Sequence, residues 1–270
     1  MGQCFVITSG KGGVGKTTVS TNLGVCLAQM GHRVALIDAD IGLRNLDLIL
    51  GLETQIRYDL VQVVEGECLL EDALVQTDYL PNLYLLAASQ NRDTLALSTY
   101  DMKELVGRLK ELFDYILIDC PAGIEQGFRN ALAGADQAIV VATPEVSSIR
   151  DADRAIALME KESRNLSPQL FINRYRPDLV ERGEMLDLDD IWNIIGAPIL
   201  GVLPETEAVL IASNRGIPLV LHSKHEIVSA FQRGARRLLG AEIPLVNLQA
   251  SLSIWDRIKD LVGYSKKAAI

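Results

Sequence analysis

Short apolar, β-branched runs alternate along this chain with stretches whose apolar residues recur every three to four positions. The runs at 4–8, 34–38, 83–87, 115–119, 138–142, 170–173 and 199–203 are almost continuously hydrophobic. That pattern predicts strands buried on both faces of a mainly parallel sheet. Helical periodicity occupies 17–30, 101–113, 148–162, 187–195 and 226–239. Such alternation predicts a doubly wound α/β fold, a sheet of about seven or eight strands with helices on both faces. Its ligand belongs at the carboxyl ends of the strands. No proline- or serine-rich linker interrupts the chain before residue 240. We therefore expect one domain over residues 1–245, followed by a linker and terminal helix over 246–270.

Composition narrows this picture. Across 270 residues, 49% hydrophobic and 23% charged positions describe an ordinary globule with ample core material. A net charge of −9 argues against a broad nucleic-acid-binding face. The four cysteines (Cys4, Cys26, Cys68, Cys120) form no C-x-x-C pair. They are expected to be reduced thiols, not a disulfide framework or a thiolate metal site. Met1-Gly2 resembles an acylation start, but Val6 stands where that motif wants Ser or Thr. The first residues are expected to form buried strand, with no signal peptide. No apolar run is long enough to span a bilayer.

The densest chemistry lies in Gly10–Thr18, GKGGVGKTT, which fits G-x-x-x-x-G-K-[ST] between a strand and a helix. Gly10, Gly12, Gly13 and Gly15, with Val14 between the last two, let successive N–H groups and the helix N-terminus face a phosphate. Lys16 is placed to reach β- and γ-phosphates, Thr17 to put its hydroxyl on Mg²⁺, and Thr18 follows on the same turn. Gly10, Gly12 and Gly15 also satisfy G-x-G-x-x-G, and Asp38 sits where a ribose-binding carboxylate would. That dinucleotide fingerprint has no use for Lys-Thr directly after its last glycine, so a nucleoside triphosphate in a P-loop NTPase-type fold is the better reading.

Two predicted strands end in carboxylates, at Asp38-Ala-Asp40 and at Asp119-Cys-Pro-Ala-Gly123. A carboxylate there can hold Mg²⁺ through water or orient an attacking water, and Asp119 has the position of a Walker B residue. An aspartate at a strand end also commonly caps the next turn, and the division of labour between Asp38 and Asp40 stays open. Gly123 reads as the hinge of a switch segment, 119–127, whose N–H can meet the γ-phosphate. Lys11 cannot easily reach its own γ-phosphate from within its own loop. A lysine supplied across a dimer interface would.

GKGGVGKTT, with its lysine after the first glycine, resembles the deviant Walker A signature of the ParA/MinD family. DADIGLRNLDLILG (38–51), DCPAGIE (119–125) and PEVSSIRDADR (144–154) extend the resemblance over essentially the whole chain. It implies a Mg²⁺-dependent ATPase that forms an ATP-dependent homodimer, with Lys11 crossing to the partner's phosphates. It also implies Asp40 as the switch residue linked to hydrolysis, Asp119 at the head of the second switch, and Asn173 reading adenine beside Pro204 and Glu205. Ser147, Asp151 and Asp153 match a surface for a MinC-like inhibitor and a MinE-like activator. Such a protein selects the division site, moving between cytoplasm and the inner face of the cell membrane. The alternative within the family is a ParA-type DNA-partition ATPase, which should carry a basic surface. An iron–sulfur carrier would need bridging cysteines.

The tail adds a second argument. In 253–267, SIWDRIKDLVGYSKK, the residues Ile254, Trp255, Ile258, Leu261 and Val262 form one apolar stripe, with Lys259 and its charged neighbours on the other face. The segment holds four basic and two acidic residues in an otherwise acidic chain. A terminal helix docked on the core would show the same stripe. Trp255 and the lysines, together with the resemblance, point instead to an anionic membrane surface. Residues 254–262 would make only about 14 Å of helix, which lies in the interface and cannot cross it.

Overall fold

Every strand expected from the sequence lies in a single sheet, and a short eighth strand completes one edge. The computed structural model describes residues 1–92, 97–162, 166–222 and 224–245. The tail, with Ile254, Trp255, Ile258, Lys259, Leu261 and Val262, lies outside the described residues. In chain order, the first half holds β1 (Gln3–Thr8), α1 (Lys16–Gln29), β2 (Val34–Asp38), α2 (Leu46–Leu50), α3 (Leu60–Val64), α4 (Leu70–Ala73), β3 (Leu74–Gln76), β4 (Leu83–Leu86), α5 (Thr99–Leu112) and β5 (Tyr115–Asp119). Then come α6 (Gln126–Gly134), β6 (Gln137–Ala142), α7 (Val146–Glu162), β7 (Gln169–Tyr175), α8 (Pro177–Glu181), α9 (Leu188–Ile195), β8 (Ile199–Pro204), α10 (Glu207–Asn214), α11 (Leu219–His222) and α12 (Glu226–Leu238).

The sheet order is β3-β4-β2-β5-β1-β6-β7-β8. Among the described strands only β3 runs antiparallel, against β4. With its three residues it shows no period a sequence could reveal. Side chains alternate across the sheet. Cys4 and Val6 join α5, α6 and α7 residues in one apolar layer, while Phe5 and Ile7 join α1 and α12 residues in the other. Both layers exclude water from the strands, which is why the strands read as unbroken apolar runs.

Helix starts follow local chemistry. Ser98 and Asp101 close a capping box on α5, and Asp187 does the same with Asp190 on α9. Asp187, expected as the first helical residue, is therefore the cap. Strand β1 lies between β5 and β6, so the chain leaves it toward β2 on one side and returns on the other. The crevice at that switch point opens beside the loop between β1 and α1.

Candidate functional site

The loop from Ser9 to Gly15 turns on glycines. Gly13 and Gly15 have φ of 76° and 99°, a region that side chains disfavour. A Cβ on Gly15 would also stand 2.3 Å from Asn173 Nδ2. Gly15 precedes the first residue of α1 and its carbonyl accepts the first helical bond, from Val19 N at 3.0 Å. The orphan N–H groups of the first turn consequently face the crevice.

Two cavities meet over this loop. The smaller, about 400 Å³, is lined by Gly12, Lys16, Thr17, Asp40, Leu48 and Ala122. The larger, about 650 Å³, is lined by Asn173, Arg176, Pro204, Glu205 and Leu210. Gly15, Thr18 and Ser213 border both, so they form one cleft. A cleft of about 810 Å³ opens at the other end of the sheet, around Gln3, Arg33, Lys110 and Leu239. It holds none of the sequence motifs, and size alone does not make it the site.

The three strand-end carboxylates separate by depth. Asp119 is buried, and its Oδ1 accepts a 2.7 Å bond from Ser20 Oγ. Burial pushes its carboxyl up to about 6, against the opposing effects of the Thr17 and Ser20 hydroxyls and the Lys16 charge. Asp38 is buried, and neither cavity lining includes it. Its Oδ1 accepts from Asp40 N at 3.0 Å, and its Oδ2 accepts from Asn45 N and Leu46 N at 3.0 and 3.1 Å. Burial first, then the Asp119 charge beside it, push Asp38 up to about 7. Asp38 thus holds the 40–46 segment, whereas half-buried Asp40 faces the smaller cavity. Burial raises Asp40, with Lys16 opposing.

Gly10 does not line the cleft. A Cβ there would meet the Asp151 carbonyl at 2.2 Å, so the loop entry packs against α7. Lys11 turns away from its own loop: Nζ donates to Glu145 Oε2 at 2.9 Å and to Ser147 Oγ at 3.4 Å. Ser147 and Asp153 are exposed, and Asp151 is half-buried. Gly123 has φ 91° and its N–H donates to the Ser9 carbonyl at 3.3 Å. Asn173 is buried, its Nδ2 donates to the Val14 carbonyl at 2.8 Å, and it lines the larger cavity. Among the side chains that line the cleft, Leu43, Leu48 and Leu210 are exposed. Such exposed apolar side chains suit a protein surface.

Sequence reasoning missed Ser20, Glu145 and Arg174. Ser20 lies one turn beyond Lys16, a spacing that a helix makes adjacent. Glu145 falls inside a motif already quoted. Arg174 carries no sequence signal beyond its place next to Asn173.

Residues 5–219 match the profile of the CobQ/CobB/MinD/ParA nucleotide binding domain. The chain belongs to this family. The septum site-determining protein MinD of Bacillus subtilis is 50% identical over 265 residues, 97% of this chain and 99% of that protein. Among solved structures, a chain of the MinC:MinD cell division protein complex of Aquifex aeolicus superposes with a TM-score of 0.84 at 46% identity. That match covers 91% of this chain and 99% of that one. MinD of Pyrococcus horikoshii complexed with Mg-ADP superposes with a TM-score of 0.79 at 30% identity, covering 90% and 100%. A MinD/ParA nucleotide-binding domain therefore occupies most of the described chain.

Proposed function

We propose that this chain is an ATP-hydrolysing switch that dimerises with ATP, binds the membrane as a dimer and positions the division site. In that role it recruits a MinC-like inhibitor and is released by a MinE-like activator. The relatives named septum site-determining proteins support the biological setting. The carrying observation is the loop itself: Lys16 and Thr17 converge on Asp40 and Asp119, while Lys11 points elsewhere.

In this reading the loop N–H groups and Lys16 hold the β- and γ-phosphates. The Thr17 hydroxyl, with Asp40 and Asp119 through water, offers hard oxygen donors of the kind Mg²⁺ accepts alongside phosphate and water. Bound there, Mg²⁺ would neutralise phosphate charge. Asp40 orients a water for attack on the γ-phosphorus; the bond to the β–γ bridging oxygen breaks, and ADP and phosphate leave. Lys11 gives up Glu145 and stabilises charge on the partner's phosphates. Gly123 N–H leaves Ser9 for the γ-phosphate. The amide oxygen of Asn173 accepts from the adenine amino group, with Pro204 and Glu205 at the base.

One tail with the short apolar stripe of 254–262 would bind a membrane weakly, and two tails on one dimer would make the second insertion intramolecular, with avidity higher by about 10²–10⁴. Nucleotide state is thereby converted into membrane occupancy. Co-sedimentation with anionic vesicles under ATP, ADP and no nucleotide tests this. Capture should be strong only with ATP, and Lys16→Ala should abolish the difference. Equal capture in all three states would remove the proposed coupling.

A further inference from the structure

Strand β7 contains an irregularity at its carboxyl end. Ile172 pairs with Val202 and Tyr175 with Pro204, so three steps on β7 span two on β8. The extra residue is accommodated at Asn173-Arg174, and Arg174 has φ 58°. A left-handed backbone at a long, non-glycine side chain is uncommon and persists only where its surroundings impose it. Bulges of this kind re-aim side chains near sites. Here the exposed Arg174 guanidinium turns back over the phosphate loop, and its Nη2 donates to the Gly13 carbonyl at 3.0 Å. Asn173 donates to the next carbonyl, that of Val14, at 2.8 Å.

The consequence follows from peptide planarity. In a trans peptide the C=O and the following N–H point in opposite directions. Fixing the Gly13 carbonyl outward aims Val14 N–H inward, and fixing the Val14 carbonyl aims Gly15 N–H inward. Glycine at 13 and 15 permits the loop its shape but gives it little reason to keep it, because glycine samples both signs of φ freely. A loop that must present N–H groups to phosphate needs an external restraint. We propose that Arg174 is a positioning residue of the phosphate loop, clamping the Gly13 carbonyl so that Val14 N–H stays directed at the bound phosphates. The inference rests on the reading of this loop as a phosphate cradle and goes beyond it by assigning what keeps the cradle formed. The Arg174 charge also acts on Glu145 after the larger effect of Lys11, so Glu145 keeps a cationic neighbour when Lys11 departs.

The test uses Arg174→Asn in the full chain. Asparagine tolerates the left-handed backbone but cannot reach Gly13, so the melting temperature should stay within a few degrees of the parent. Affinity for Mg·ADP, read by a fluorescent analogue, should fall about tenfold, the effect of one lost charge-assisted hydrogen bond. Without nucleotide, hydrogen exchange of the 12–16 amides should quicken. Arg174→Lys, which retains a donor, should recover part of both losses. Parent-like affinity and exchange in Arg174→Asn, or Arg174→Lys no better than Arg174→Asn, overturns the proposal. If Arg174→Asn does not fold, Arg174→Gly makes the same comparison. A parent protein that binds no Mg·ADP would overturn the phosphate reading, while the exchange measurement still decides the clamp.

Discussion

Lys11 Nζ stands 2.9 Å from Glu145 Oε2, so the extra lysine of the phosphate loop is paired within its own chain. The two side chains are 33% and 56% exposed, and a pair so wetted contributes at most about 1 kcal/mol. It is a weak latch that phosphates can displace. Glu145→Gln should therefore release Lys11 and favour association with Mg·ATP; because a symmetric dimer would open two such pairs, the dimer dissociation constant should fall by up to about thirtyfold. Sedimentation velocity across a concentration series measures this. Unchanged or weaker association would show that Glu145 does not restrain Lys11.

Gly10 joins the loop to the helix that bears Ser147, Asp151 and Asp153. An added methyl at 2.2 Å from the Asp151 carbonyl meets backbone, which cannot swing aside as a side chain can. Gly10→Ala should cost about 1–3 kcal/mol and lower the melting temperature by several degrees. Because either the loop or α7 must move, Mg·ADP affinity or capture of a MinC-like partner should fall with it. A variant with parent stability would mean that α7 and the loop are less tightly seated than their geometry indicates.

Which parts of the site the sequence revealed follows from how each residue arrives there. Asp40 and Asp119 stand out as candidates in the sequence because Asp119 ends an apolar strand and Asp40 follows one by two residues, where the chain must turn at the carboxyl end of the sheet. Asp38 looked the same, yet its burial and three backbone donors assign it to holding the 40–46 segment. Nothing in its spacing carries that distinction. Glu145 and Arg174 come from the β6–α7 connection and the β7 bulge, and only the strand order brings them to the loop. The sheet itself was legible for the opposite reason: burial on both faces writes each long strand as an uninterrupted apolar run. Strand β3 and the five-residue α2 are too short to show a period.

Acid–base behaviour offers a separate check on Asp38. Burial and the neighbouring Asp119 push its carboxyl up to about 7 in the folded chain, whereas an unfolded aspartate titrates near 4. Between about pH 4 and 7 the folded chain holds the extra proton, so stability falls as pH rises through that window. With nucleotide absent and a chelator present, the parent should lose several degrees of melting temperature more than Asp38→Asn between pH 4.5 and 7.5. Parallel pH profiles would mean that Asp38 titrates normally.

Thiol reactivity reports on the core. Cys4, Cys26 and Cys120 are buried, and burial pushes Cys26 and Cys120 up to about 12. Cys68 is half-buried, on the connection before α4. Reaction follows thiolate fraction and access together. A brief alkylation of the native protein at pH 8 should modify Cys68 first, and peptide mapping identifies it. Rapid labelling of Cys120 would contradict the closed packing around the end of β5.

The terminal stripe carries the last prediction. Trp255 supplies the largest apolar surface of the 254–262 segment, and replacing it with glutamate removes that surface and adds a charge unsuited to an anionic bilayer. Burying one such side chain is worth about 2 kcal/mol, and in the proposed dimer two tails would compound the loss to about 10³-fold in vesicle affinity. Trp255→Glu should consequently fail to co-sediment with anionic vesicles under ATP while keeping the parent melting temperature. A large drop in melting temperature would instead place Trp255 in the packed core, where the stripe would serve folding and the membrane role would have to be carried by another surface.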